Sequence, residues 1–161
     1  MHRNRGILYL GVSQTAEPEM HISNVKTLVF DENGRYLSRA QEELWKLRQQ
    51  CGWVCAAGRG SGVYAALALA AQLPVDRIAL DGGWLAGREK LGREMNRLRA
   101  YACRNLSLVV SEVLTFGASE DELRFLTRGT QHAKLCALNG RMDVRSCLED
   151  WNVLAENNLP I

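Results

Sequence analysis

The sequence predicts an α/β fold: a doubly wound, mainly parallel sheet of about six strands with helices on both faces. Short apolar runs alternate with longer helical patterns along all 161 residues. Those runs are apolar on consecutive residues, as expected for strands covered on both sides. No internal repeat, low-complexity tract or linker interrupts the alternation, so residues 1–161 read as a single domain.

The strands are expected at "ILYLGV" (7–12), "KTLVFD" (26–31), "WVCAA" (53–57), "RIALDG" (77–82), "LSLVVSEVLTFG" (106–117) and "AKLCALNG" (133–140). The first helix, "SRAQEELWKLRQQCG", is expected to open on Ser38 as N-cap and close at Gly52, with Leu44, Leu47 and Cys51 as its apolar stripe. The second, "SGVYAALALAAQLP", stops before Pro74, and its small side chains suit close approach to a sheet. The third, "AGREKLGREMNRLRAYACRN", places Leu91, Met95, Leu98 and Ala102 on one face. The fourth, "SEDELRFLTRG", has a serine N-cap, acidic residues in its first turn and a glycine at its end. "DVRSCLEDWNVLAENN" reads as one last helix. The charge clusters Arg93 to Arg104 and Glu120 to Glu122 read as solvated helix faces.

Composition narrows the function classes. A net charge of +2, from 20 basic and 18 acidic side chains, argues against a nucleic-acid binder. No apolar stretch approaches the roughly 18 residues of a membrane span, and "ILYLGV" is too short for a signal-peptide core. Five cysteines (Cys51, Cys55, Cys103, Cys136 and Cys147), odd in number and without metal-type spacing, argue against a disulfide framework and a zinc site. Cys55 and Cys136 read as buried small hydrophobes. No metal or cofactor is expected, and the expected compartment is the cytoplasm.

The stretch "AAGRGSG" (56–62), between a strand and a small-residue helix, is where chemistry is to be sought. Gly60, Gly62 and Ala65 satisfy a dinucleotide fingerprint, and Asp81 ends the next strand where a ribose-binding acid belongs. However, the loop follows the third strand rather than the first, and Asp81 runs into Gly82 and Gly83 as an ordinary turn would. Alternatively, Gly58, Arg59, Gly60, Ser61 and Gly62 form G-x-X-x-G, a sharp strand–turn–helix whose flanking positions must be small.

On this second reading the chain resembles the α/β-hydrolase superfamily over most of its length. "ILYLGVSQTAE" is similar to the strand whose exit loop builds half the oxyanion hole, which implicates Gly11 and Val12 together with Ser61. "KTLVFDENGRYLS" is similar to a D-x-R-G-x-G-x-S segment, with Asp31, Gly34 and Ser38 in step. "VCAAGRGSGVYAALALAAQLPVDRIALDGG" resembles the nucleophile elbow, its helix and the next strand. "LVVSEVLTFGASEDEL" resembles the strand before the catalytic acid, and "AKLCALNGRMD" the strand before the histidine. The family order implies strands two-one-three-four-five-six across the sheet.

The resemblance also locates what is missing. The nucleophile position is Gly60, the histidine position holds Gly140 and then Arg141, and Leu10-Gly11 replaces His-Gly. Arginine stays protonated and cannot serve as a general base near neutral pH. Glu120 or Asp121 occupies the acid loop, although acidic residues in a helix's first turn also have a dipole explanation. Between Gly83 and Leu106 there is room for one helix and no lid.

The expectation is therefore a hydrolase-like protein impaired or inactive as a serine hydrolase, serving as a binding or assembly module. Two alternatives stand beside it. One is a small active acyl or ester hydrolase using Ser61, assisted by His21 or by Glu120 and Asp121; the other is nucleotide binding at Gly60 and Gly62. "KTLVFD" is expected as an edge strand blunted only by Lys26, which makes a homodimer the expected association. A small molecule or a protein is left open as partner.

Overall fold

The computed structural model describes residues 4–11, 25–29, 36–60, 62–85, 93–104, 110–130 and 133–156. In chain order the elements are β1 (Arg5–Gly11), β2 (Val25–Val29), α1 (Tyr36–Gln50), β3 (Trp53–Gly58), α2 (Gly62–Gln72) and β4 (Val75–Asp81). They continue with α3 (Arg93–Arg104), β5 (Val110–Phe116), α4 (Glu120–Gly129), β6 (Lys134–Leu138), α5 (Val144–Leu148) and α6 (Trp151–Glu156). Among the described residues the strands form one sheet in the order β2-β1-β3-β4-β5-β6. Every pairing is parallel. The protein is thus an α/β fold on an all-parallel sheet, in the expected strand order.

Because side chains alternate along a strand, the consecutive apolar runs supply two cores at once. Leu8, Leu10, Val54, Ala56, Ile78, Leu80 and Val113 share one cluster with buried residues of α1, α2 and α4. Ile7, Tyr9, Cys55, Ala57, Ala79, Leu114, Phe116 and Cys136 share the other with Cys147 of α5 and Leu154 of α6. Cys55 and Cys136 are buried, as their apolar surroundings in the sequence imply.

α2 is the most enclosed helix, with every residue from Gly62 to Ala70 buried. A helix that is apolar all round requires neighbours all round, and α2 touches β1, β3, β4, α1 and α3. Four of its five alanines are buried, and with Gly62 they keep the contacts close.

Three helix expectations change. α1 is described from Tyr36, two residues before Ser38, and the Tyr36 side chain is fully buried. The last helix is two short ones, broken at Glu149 and Asp150. Glu122 lies at the end of an acidic cluster read as solvated, yet it is fully buried. Of the stripe expected on α3, Leu91 and the side chains of Met95, Leu98 and Ala102 lie outside what the structure describes.

The break between α5 and α6 has a physical cause. The last carbonyls of a helix lack partners within it, and here two arginines of the sheet supply them. Arg77 donates to the carbonyls of Cys147 and Glu149, both at 2.9 Å. Arg5 donates to the carbonyl of Leu148 at 2.6 Å and pairs with Asp150. Buried Arg77 also meets Glu112 at 2.6 Å, and its guanidinium lies 4.9 Å from the Trp53 ring centre and 5.3 Å from that of Trp151. A buried arginine persists only when its charge is paired and its donors are used.

Removing the Arg77 side chain leaves a carboxylate and two carbonyls without it. Arg77→Ala is expected to lower the unfolding free energy by about 3–5 kcal/mol, measured by urea denaturation. A loss below about 1 kcal/mol, the size of an exposed pair, contradicts this account.

Candidate functional site

The described strands all run parallel, so their C-terminal ends meet at one edge of the sheet. In such sheets ligands bind outside that edge, at the point where the strand order reverses. Here the order reverses between β1 and β3, where β3 turns into α2.

That turn is held by backbone contact. The Arg59 amide donates to the carbonyl of Leu10 at 2.9 Å, extending the β1–β3 ladder by one bond. Gly62 N–H then donates to the carbonyl of Arg59 at 2.9 Å, and Val63 N–H to that of Gly60 at 3.2 Å. A Cβ on Gly58 would lie 2.7 Å from the carbonyl oxygen of Gly62, and a Cβ on Gly62 would lie 2.2 Å from that of Leu10. Neither separation is sterically allowed, so the two flanking positions have no room for any side chain. Gly60, between them, has φ +59°, a left-handed conformation that other residues adopt only under strain.

These facts bear on the nucleotide alternative. Gly62 packs against the backbone of β1, and its amide and that of Val63 already serve the turn. A phosphate cradle needs such amides turned outward. Asp81 is likewise engaged. It is almost fully buried at the end of β4, and its Oδ1 accepts from the Met142 amide at 3.0 Å.

The other Asp81 oxygen links the turn to the loop after β6. Oδ2 lies 3.7 Å from Arg59 Nε and 3.5 Å from a terminal nitrogen of Arg141. Side-chain exposure is 4% for Asp81 but 46% for Arg59 and 74% for Arg141, so the carboxylate sits beneath two outward-facing cations. Tyr9 lies below them on β1. Burial pushes its phenol above the ordinary range, while a hydrogen bond from Arg59 and that cation pull the other way. Deeper in the same cluster, the Cys147 thiol is held well above its ordinary range by a hydrogen bond with Cys55 and by burial. Thiols held protonated in this way are poor nucleophiles.

The structure therefore brings Gly11, Gly58, Arg59, Gly60, Gly62 and Arg141 to one edge. Glu120 and Asp121 are exposed on the first turn of α4, which follows the C-terminal end of β5, and pair with Arg124 at 3.0 and 3.7 Å. Ser61, Val12 and His21 lie outside the described residues. Among the described residues no group of three or more potential metal ligands occurs.

Tyr9, in an apolar strand run, was not singled out from the sequence; Asp81 was, as the acid ending its strand, but only the fold shows its carboxylate between Arg59 and Arg141. Glu122, read as solvated, carried a signal that was not used: Ser119-x-x-Glu122 is a capping box. Its carboxylate accepts from Ser119 N–H at 2.8 Å and reaches across to the amides of Gly83 and Leu85 at 3.1 and 2.8 Å. Glu122 thus ties the start of α4 to the exit of β4.

A groove of about 500 Å³ lies at the opposite end of the strands, lined by Arg5, Trp53, Arg77, Glu112, Asp150 and Trp151 among others. Its charged residues pair with one another and hold the α5–α6 junction, so it belongs to the scaffold. No protein-family profile matches this chain, and no curated protein shows detectable similarity to it.

Asp81→Ala would leave the Met142 amide and both arginines without their shared acceptor. It is expected to cost about 1–3 kcal/mol of stability, whereas Arg141→Gln, on an exposed side chain, should stay within about 0.5 kcal/mol of wild type. Denaturant midpoints measure both, and equal losses would contradict the assignment of Asp81 as the buried hub.

Proposed function

We propose that this chain is an α/β-hydrolase-like domain that binds a ligand at the C-terminal edge of its sheet without hydrolysing it through a serine nucleophile. The observation that carries the reading is Gly60. It takes a left-handed conformation between two positions that admit no side chain, the geometry of a nucleophile elbow, and it has nothing with which to attack.

The strand order supports the family resemblance, and the position assigned to the histidine supports the loss of catalysis. Arg141, a permanent cation, stands there and pairs with Asp81. A general base must release and accept protons near neutral pH, and Arg141 does neither. Helices on both faces of a six-stranded sheet belong to the same proposal. So does a cytoplasmic setting, favoured by the free thiols of Cys51, Cys55, Cys136 and Cys147.

The test is chemical. Incubated with a fluorophosphonate serine probe and with p-nitrophenyl acetate, the purified protein is expected to show no covalent adduct and no turnover above buffer. Labelling at Ser61, lost in Ser61→Ala, would instead establish an active hydrolase.

A further inference from the structure

The Arg59–Asp81–Arg141 group is unbalanced in a way that the scaffold's other arginines are not. Two guanidinium groups share one carboxylate, which leaves one positive charge without a counter-charge in the group. The distances agree. Arg77 meets Glu112 at 2.6 and 2.8 Å, within hydrogen-bonding range, whereas Arg59 and Arg141 stand 3.7 and 3.5 Å from Asp81. Asp81 holds both cations in place without saturating their donors. The nearest acid along the loop, Asp143, turns its carboxylate to the Arg145 amide as N-cap of α5.

Location adds to this. The two cations stand at the strand ends, one on the turn at the point of order reversal and the other on the loop after β6. An Arg fork presents parallel N–H donors that match a planar oxyanion. A monoanion would neutralise the group, whereas a dianion would leave a negative charge over a buried carboxylate.

We infer that Arg59 and Arg141, spaced by Asp81, form a binding site for the carboxylate of a small monocarboxylic acid. The inference deepens the binding function proposed above and rests on it. The carboxylate accepts from both guanidinium groups above the β3–α2 turn. Asp81 below holds Arg59 and Arg141 on either side of the same carboxylate oxygen.

Isothermal titration of the full chain tests the site, with hexanoate as probe and hexanamide and inorganic phosphate as comparisons. Hexanoate is expected to bind saturably and more tightly than either. Arg59→Gln or Arg141→Gln should weaken it about tenfold or more, the scale of a lost charge-assisted hydrogen bond. Arg141→Lys, which keeps the charge but loses the fork, should fall between. If Arg59→Gln does not fold, the exposed Arg141 variants decide alone. Hexanamide binding as well as hexanoate, phosphate binding more tightly, absence of saturable binding, or unchanged affinity in Arg141→Gln would each overturn the assignment. None of these results would produce labelling by a fluorophosphonate, so failure of this site and failure of the non-catalytic reading are distinguishable.

Discussion

The close approach of Gly62 to the backbone of β1 is the constraint on which the functional edge of this protein depends. A Cβ at Gly62 would stand 2.2 Å from the Leu10 carbonyl oxygen, so the start of α2 lies against the end of β1 with no side chain between them. That contact lets the chain leave β3 and enter a buried helix within four residues. It also fixes where Arg59 emerges, through the bond of its amide to the same carbonyl. The left-handed Gly60 and the position of Arg59 over Asp81 follow from that turn.

Two polar anchors then hold the ends of the sheet in different ways. At the N-terminal ends of the strands, buried Arg77 is saturated by Glu112 and by the carbonyls at the end of α5, so its role is structural. At the C-terminal ends, a buried carboxylate holds two exposed arginines loosely. Saturated charges build a scaffold, and unsaturated charges near solvent remain available to a ligand. The contrast is what separates the groove around Trp53 from the edge around Asp81.

Much of the fold was legible because its signals are local. Consecutive apolar runs marked every strand, and β3 is buried along its whole length, as "WVCAA" implies. Strand order came from the family resemblance rather than from any local pattern. What the sequence hid is non-local. Nothing in "SCLEDWN" reveals that Arg77, on a strand some 70 residues earlier, takes the carbonyls of Cys147 and Glu149 and breaks the helix there. Asp81 looked like a turn residue because its partners come from two other loops. Glu122 looked solvated because its neighbours Glu120 and Asp121 are, although the capping-box spacing carried the correction. The glycine spacing of 58, 60 and 62 was visible at once; only the backbone distances assign Gly58 and Gly62 to packing and Gly60 to conformation.

The measurement that tests this account most directly is the stability of Gly62→Ala. If α2 and β1 meet as described, one methyl group cannot be accommodated without moving backbone. Its unfolding free energy should then fall by about 3 kcal/mol or more, with broadening or shifts of the Leu10 and Arg59 amide resonances. A variant within about 0.5 kcal/mol of wild type and with unshifted amides would contradict the close approach and the turn geometry built on it.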